Sequence, residues 1–497
     1  MPNTLAQIVL FSWPLVAWVL FARLRADTAL IATIVLGYLF IPERTGFDLP
    51  VLPSVDKNLL PVLCAALGMW LVRRKDERSA RGTTSRTPSA NQASPARRHG
   101  VSRISKIIPL IVTGLVLNTF VTWLTNQKML FIGPRIILGI GLYDVGTMIT
   151  VLLVKLLPLW LALRYLRDRE AQIRMLKVFA FCGLAYSFLV LWEIRMSPQL
   201  NTQLYGFFAH SWAQHVRDGG FRPIVFLEHG LRVGIFLAMA SLCAAVLARS
   251  NVGGNRLSWL ALSLWLFLCL ALSHNLGATL IAAALLPVVL LLPARAQLLI
   301  GLAFATIVLI YPMARGSGLI PVEQFVSEVQ KFSPERAQSL EYRLHMENLL
   351  LNKANEKPLS GWGGWGRWLT FNADTGKQES IPDGVWIITM GESGWIGYLG
   401  TFGLLCLPVI FAALRARRFQ LDVMDAGIVI VLSTNLIDLI PNSSMVPPLW
   451  LIAGTLWARL QQESGFQTNA RATEVTRAPP RRVNDRSKDL RNARLSG

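Results

Sequence analysis

The stretch GVWIITMGESGWIGYLGTFGLLCLPVIFAA, residues 384–413, decides the class of fold. A helix needs roughly 20 apolar residues to cross the hydrocarbon core of a bilayer. This stretch is longer than that, and Glu392 is its single charged residue. It therefore predicts a transmembrane helix rather than a helix from a soluble core.

Similar apolar segments recur through the 497 residues, of which 53% are hydrophobic and only 16% charged. A soluble domain usually has about 25% charged residues. We predict an all-α polytopic membrane protein with about 13 transmembrane helices. The predicted spans are 5–22, 28–42, 58–72, 105–125, 144–166, 176–193, 231–248, 257–273, 275–292, 297–313, 384–413, 424–440 and 445–459.

The basic residues between these spans predict the orientation of the chain. If the N-terminus is outside, every cytoplasmic segment contains Lys or Arg, as the positive-inside rule requires. Residues 73–103 carry nine basic and two acidic residues, and 461–497 carry eight and four. Both segments are polar and low in complexity, so we expect them to be disordered. Membrane orientation and attraction to anionic membrane lipid explain the net charge of +20 better than nucleic-acid binding does.

This topology divides the chain into regions and leaves two long segments outside. The regions are N-terminal transmembrane helices (1–72), a basic cytoplasmic loop (73–104), a central transmembrane region (105–313) with an outer loop (194–230), a large outer loop (314–383), C-terminal transmembrane helices (384–460) and a basic cytoplasmic tail (461–497). Within the large loop, the apolar periodicity of 323–357 predicts short amphipathic helices on the membrane surface. The five cysteines lie in apolar runs without C-x-x-C spacing, which argues against disulfides and zinc.

Arginines in the two outer loops could bind phosphate. Arg336 and Arg343 are seven residues apart, so a helix would place them on one face. Guanidinium groups bind phosphate bidentately, and this pair could hold a diphosphate. Alternatively, the two side chains extend to lipid headgroups. Arg222 could add a phosphate contact, and nearby His229 is either structural or functional.

The run from Gly361 to Gly366 combines glycines with tryptophans. Gly361 and Gly363 permit close backbone approach, while Trp362 and Trp365 offer flat faces for sugar stacking or membrane anchoring. The run has no G-K-[ST] ending and no preceding strand, so it does not predict a nucleotide-binding loop.

Two carboxylates and one lysine are further candidates. Asp383 lies at the outer mouth of the span 384–413, and Glu392 lies about two turns deeper. Either could accept a proton from a sugar hydroxyl, or they could act as a helix N-cap and an interhelical hydrogen bond. Lys155, inside the span 144–166, could face an anionic ligand or pair within the bundle.

The order of these motifs resembles that of the O-antigen ligase and Wzy-type polymerase superfamily of bacterial envelope glycosyltransferases. The resemblance covers roughly residues 176–440. It is carried by F-R-P-x4-E-H-G (221–230), S-H-N-L-G-A (273–278), R-x6-R (336–343), P-L-S-G-W-G-G-W-G (358–366), D-G-x-W (383–386) and G-E-x-G-W-I-G (391–397).

The resemblance implies a glycosyltransferase of the bacterial inner membrane that uses no metal or cofactor. Its N-terminus would be periplasmic and its C-terminus cytoplasmic. It would polymerise or ligate undecaprenyl-diphosphate-linked oligosaccharides at the periplasmic face, in exopolysaccharide or O-antigen (lipopolysaccharide) biosynthesis. The expected partners are this donor, a glycan or lipid acceptor, membrane lipid and other polysaccharide-assembly proteins.

The resemblance also assigns roles to particular residues. Arg222 and Arg343 match the arginines that face the diphosphate, and Arg336 matches more weakly. Asp383-Gly384 stands where ligases usually have a His-Asn-like pair, which favours a polymerase over a ligase. A transporter or flippase for lipid-linked glycans, and a non-catalytic assembly scaffold, remain the alternatives.

Overall fold

The computed structural model describes residues 2–48, 54–83, 103–217, 219–332, 334–417 and 420–477. These residues are mostly helical. The helices are α1 Thr4–Arg23, α2 Ala26–Phe40, α3 Leu60–Thr83, α4 Ile107–Thr125, α5 Leu142–Tyr165, α6 Arg169–Met196, α7 Leu200–Tyr205, α8 Gly230–Arg249, α9 Arg256–Leu272, α10 Leu276–Leu291, α11 Ala294–Gly316, α12 Val322–Phe332, α13 Pro334–Asn355, α14 Val385–Leu414, α15 Val423–Asp438 and α16 Pro447–Arg477.

The described strands form three short antiparallel hairpins in the connections. These are β1 Gly46–Phe47 with β2 Val55–Asp56, β3 Leu130–Ile132 with β4 Arg135–Ile137, and β5 Val216–Arg217 with β6 Gly220–Phe221. In the longest hairpin, Leu130 faces Ile137 and Ile132 faces Arg135.

Seven of the described helices are long and apolar enough to cross a membrane: α1, α4, α5, α6, α8, α11 and α14. Three apolar helices are shorter, namely α2, α9 and α10. Each of the thirteen predicted spans coincides with a helix. Length and composition nevertheless support seven crossings, and the remaining six stay predictions.

Two helices continue into the segments that we expected to be disordered. α3 extends to Thr83 and α16 to Arg477, so that expectation was wrong for 73–83 and 461–477. In α3, Arg73 Nε lies 2.8 Å from Glu77 Oε1 one turn later, a spacing that supports a helix. Residues 84–102 and 478–497 lie outside the described residues.

Helix α8 lies at the centre of the bundle. Its side chains from Val233 to Ala248 are buried, and it packs against α6, α9, α10 and α15. Many of these residues are alanine, which lets neighbouring helices approach closely. The first turn of α8, which directly follows the candidate residue His229, is thereby fixed in place.

The segment predicted as the large outer loop contains one short helix, α12, and one longer helix, α13. The expectation of short helices was therefore wrong for α13, which has 22 residues. α13 packs against α14, where Trp386 Nε1 donates a hydrogen bond to Glu347 Oε1 at 3.3 Å. This packing fixes Arg343 relative to the start of α14.

Candidate functional site

Arg343 and Asp383 form an ion pair where α13 meets the start of α14. Arg343 Nε lies 3.4 Å from Asp383 Oδ2, and both side chains are about one-third exposed. They border a cavity of about 230 Å³, which we call the arginine cavity. Its other lining residues are His210, Gln214, Glu228, His229, Leu231, Arg232, Ile381, Pro382, Pro441, Asn442, Ser443 and Ser444.

Backbone contacts hold Asp383 in position. Val385 N donates to the carbonyl oxygens of Leu439 and Asn442, at 3.1 and 3.3 Å. A Cβ at Gly384 would overlap the carbonyl oxygen of Ile440, so this position requires glycine. Gly384 is itself the N-cap of α14. Capping is therefore not the role of Asp383.

A buried ion pair secures α13 behind Arg343. Arg315 Nη2 donates to the carbonyl oxygen of Leu344 at 3.2 Å, and Arg315 Nε lies 3.6 Å from Glu347 Oε2. Burial raises the pKa of Glu347, whereas Trp386 and Arg315 lower it. The two partners belong together, because either one alone would be an uncompensated buried charge.

His229 is a neutral donor at the wall of the arginine cavity. It caps α8, and its Nδ1 accepts a hydrogen bond from Leu231 N at 3.0 Å. The proton therefore lies on Nε2, which is 3.4 Å from Gln214 Oε1. Burial, followed by the neighbouring histidines and arginines, lowers the pKa of His229 to about 2.

Arg222 lies beside His229 but is not among the residues that line the arginine cavity. Its Nη2 and Nε lie 3.2 and 3.4 Å from the carbonyl oxygen of His274. The aliphatic part of Arg222 occupies the space in front of Gly230, where a Cβ would collide with it. Arg222 therefore does not line the cavity with Arg343, although both guanidiniums act electrostatically on His229.

Arg232 lines the arginine cavity, and the sequence analysis did not single it out. Its guanidinium lies 2.6 Å from Glu228 Oε2 and 3.6 Å from Glu43 Oε1. An arginine in the first turn of a predicted span, three residues after His229, was the signal that could have found it.

Lys155, Glu392 and Trp365 lie together at a different place. They border a cavity of about 350 Å³ between α4, α5 and α14, which we call the lysine cavity. A third cavity, of about 330 Å³, shares Arg232 with the arginine cavity and both Val151 and Lys155 with the lysine cavity. Six of the predicted site residues therefore divide between two cavities, and the third cavity borders residues of both.

Gly361 and Gly363 belong to a loop that inserts into a break in α14. The helix is interrupted at Gly394, with φ +60° and ψ −163°. Trp362 N and Gly363 N donate to the carbonyl oxygens of Gly391 and Glu392, at 2.8 and 2.9 Å. In a continuous helix, those two oxygens would accept from residues 395 and 396.

The loop also provides acceptors for the backbone N–H groups that the break leaves without a helical partner. Trp395 N and Ile396 N donate to the carbonyl oxygens of Pro358 and Leu359, at 2.7 and 3.1 Å. Irregular backbone within a membrane is tolerated where protein satisfies its polar groups. Gly361 has φ +71°, and a Cβ there would collide with the backbone of Glu392. The contacts of this glycine are therefore structural.

Polar residues of α4 and its C-cap Asn126 hold this loop and the break in α14, and the sequence analysis missed them. Asn118 Nδ2 donates to Ser393 O at 2.9 Å, Thr122 Oγ1 to Ser360 O at 2.7 Å, and Asn126 Nδ2 to Gly361 O at 3.0 Å. Their spacing of four residues within an otherwise apolar segment was the available signal.

The two candidate tryptophans have opposite environments. Trp362 is buried; its Nε1 donates to Lys353 O at 2.7 Å, and Lys353 Nζ lies 3.7 Å from the ring centroid. Trp365 is 54% exposed at the lysine cavity. Only Trp365 of this pair presents an accessible ring. Arg336 belongs to α13 with Arg343, but its side chain lies outside the described part of the structure.

Among the described residues, no group of three or more His, Cys, Asp or Glu side chains is placed to hold a metal ion. No protein-family model matches this chain, and no curated protein is significantly similar to it.

Proposed function

We propose that this protein is a membrane glycosyltransferase that polymerises or ligates undecaprenyl-diphosphate-linked oligosaccharides outside the cytoplasm. One observation carries the proposal. A carboxylate, Asp383, is paired with Arg343 in a cavity that also contains Arg232 and the neutral His229. Such a cavity combines a base with donors for an anionic leaving group.

In this proposal, Asp383 is the general base. Burial raises the pKa of its carboxyl above the usual value, while Arg343 opposes part of that rise. The carboxylate takes the proton of an acceptor hydroxyl as that oxygen bonds to the anomeric carbon of the donor. The bond from the anomeric carbon to the phosphate oxygen breaks, and the diphosphate leaves with both bonding electrons. Glu392 is the weaker candidate base, because it borders the lysine cavity instead.

The arginines supply the stabilisation of the leaving group. Arg343 and Arg232 face the cavity, and Arg222 adds positive charge next to His229. Guanidinium groups suit phosphate because they donate in a rigid, bidentate geometry. Asp383 and Glu228 orient these guanidiniums in the absence of donor. The His229 Nε2 proton provides one further, uncharged donor.

The finer assignments rest on the resemblance. We place the protein in the bacterial inner membrane, with a periplasmic N-terminus and arginine cavity and a cytoplasmic C-terminus. Asp383-Gly384 favours a polymerase over a ligase. The acceptor is then a growing glycan, and other polysaccharide-assembly proteins are the expected partners in exopolysaccharide or O-antigen synthesis.

A transporter for lipid-linked glycans is the second candidate function. The break in α14, next to the ionisable residues Lys155 and Glu392, favours it. Broken helices with charged residues near the bilayer midplane are typical of transporters. A transporter would move the lipid-linked glycan without forming a glycosidic bond.

Reconstitution into liposomes with an undecaprenyl-diphosphate-linked repeat unit tests the proposal. We expect longer glycans and released undecaprenyl diphosphate, both measured by mass spectrometry. Asp383→Asn should lower the rate on the order of 10²–10⁴-fold, with a smaller loss for Asp383→Glu. Arg343→Met should lower it about 10²–10³-fold, because one donor to the leaving group is lost.

Lys331→Met is the matched control, because Lys331 is an exposed cation of α12 whose ion pair within the described residues is with Glu328, one turn earlier. Its rate should equal that of the wild type. Normal glycan extension by Arg343→Met, or movement of the lipid across the bilayer without a new glycosidic bond, would contradict the transferase.

A further inference from the structure

The lysine cavity contains two opposite charges that do not touch. Lys155 and Glu392 both line it and interact electrostatically. Within the described part of the chain, no ion-pair contact joins them, and Glu392 interacts directly only through a hydrogen bond from the Trp368 side chain. Charged groups in a membrane-spanning region are costly and normally pair with each other or with a ligand. The space between these two groups therefore suits a polar ligand.

Several of the other lining residues are uncharged and can form hydrogen bonds. Thr389 Oγ1 donates to Val385 O at 2.8 Å and Thr119 Oγ1 to Val116 O at 2.7 Å, which leaves their oxygen lone pairs as acceptors. Asn118 is 4% exposed, and its Oδ1 has no hydrogen-bond partner among the described residues. A buried acceptor of this kind calls for a donor.

The chemistry of the cavity selects one kind of ligand group. A phosphate would pair with Lys155 but be repelled by Glu392, and an ammonium group would have the reverse problem. A hydroxyl can donate to the carboxylate and accept from the ammonium at the same time. Further hydroxyls on the same ligand could hydrogen-bond to the threonines.

The edge of the cavity is apolar and open to the outside of the bundle. Trp365 is 54% exposed and Val151 is 44% exposed. An indole can stack on a sugar ring. The adjoining third cavity has apolar lining at Leu59, Val62 and Trp450, which gives room for an alkyl chain.

We infer that the lysine cavity binds the hydroxylated head group of an amphiphile, such as the sugar of a glycolipid, between the Lys155 ammonium and the Glu392 carboxylate. This site is separate from the arginine cavity. That the bound amphiphile serves as glycan acceptor rests on the proposed transferase function, whereas its binding does not.

Direct binding to the full-length protein in phospholipid nanodiscs tests this inference. The probe is tritiated dodecyl β-D-glucoside, measured by scintillation proximity without any donor lipid. We expect saturable binding that unlabelled dodecyl glucoside displaces and dodecyl phosphate does not. Lys155→Met and Glu392→Gln should each weaken binding about tenfold or more, the loss expected from one charge-assisted hydrogen bond.

A third variant separates ligand contacts from folding. Thr147→Phe fills the cavity without removing a charge and should abolish binding, with an unchanged elution volume and melting temperature. Leu153→Phe, on the exposed face of the same helix, and Lys331→Met are matched controls that should bind like the wild type. Equal affinity in all variants, or displacement by dodecyl phosphate at lower concentration than by the glucoside, would overturn the inference.

The outcomes also distinguish a failure of the inferred site from a failure of the proposed function. Probe binding that responds to these substitutions, in a protein that never forms a glycosidic bond, would contradict the transferase and support the site. If the protein transfers glycan but none of the three substitutions changes probe binding, the inferred site would be contradicted and the transferase function would not.

Discussion

At the scale of single residues, surroundings decide what each candidate group can do. Asp383 is partly exposed in the arginine cavity and paired with Arg343, so a substrate can reach it. Glu392 faces Lys155 across another cavity. His229 is neutral because burial and the neighbouring cations disfavour its protonated form. The three groups should therefore respond differently to pH.

The rate of glycan transfer should fall at acid pH with a midpoint above about 4, the ordinary value for aspartate. Burial raises the pKa of Asp383. As the pH falls through this raised pKa, the carboxylate gains a proton and can no longer act as base. A pH–rate profile of the reconstituted protein measures the midpoint.

His229→Gln is the control for this profile. Because the pKa of His229 is lowered to about 2, the imidazole is neutral throughout the range measured. The variant should lower the maximum rate but leave the acid midpoint unchanged. A midpoint that moves in His229→Gln would assign the titration to the histidine and contradict the role of Asp383.

At the scale of elements, the break in α14 and the loop 358–363 depend on each other. The loop supplies two donors and two acceptors in place of two helical hydrogen bonds. The glycines at 361, 363 and 394 all have positive φ, and a side chain at each would collide with a neighbour. The glycine-rich motifs of the sequence are explained by this junction, which places Glu392 and Trp365 beside the lysine cavity.

Gly394→Ala should destabilise the protein strongly. Its φ and ψ are nearly exclusive to glycine, and adopting them costs other residues about 1–3 kcal/mol. An added Cβ would also collide with the backbone of Pro358 and Leu359. We expect a clear drop in melting temperature, measured in detergent by fluorescence-detected size exclusion.

Gly403→Ala tests the same exchange further along α14. A Cβ there would meet only Leu407, at an ordinary distance of 3.8 Å. Alanine also favours a helix over glycine, so the melting temperature should stay the same or rise. Equal melting temperatures for Gly394→Ala and the wild type would show that the break is not held as described.

At the scale of the whole molecule, the arginine cavity is assembled from distant parts of the chain. The loop after α7, the start of α8 with the residues just before it, α13, the segment before α14 and the loop after α15 all contribute. If the predicted orientation is correct, all of them lie at the outer face. In that orientation, a substrate of the arginine cavity must reach it from the outer face of the membrane.

Labelling of single introduced cysteines in intact cells tests this orientation. Ser327→Cys, on the exposed side of α12, should react with a membrane-impermeant maleimide. Asn255→Cys, before α9, should react only after the cells are permeabilised. The wild type gives the background from its five native cysteines, four of which are buried. The reverse labelling pattern would overturn the predicted topology.

Composition and periodicity were sufficient to predict the helical class and the positions of the apolar helices. Apolar length and the spacing of charges are properties of contiguous sequence. The same local information placed Arg343, Asp383, Lys155 and Glu392 on a short list of candidates. Its position in the first turn of a span was the only local signal for Arg232, and an arginine there is equally typical of headgroup contact.

The sequence by itself determined that the chain forms apolar helices and which polar residues interrupt them. Only the tertiary structure decided that Asp383 pairs with Arg343 and not with Lys155, that Trp362 is buried while Trp365 is exposed, and that Gly361 fits against the backbone of Glu392. The physical reason is that helix formation depends on neighbouring residues, whereas pairing and burial depend on which helices pack together.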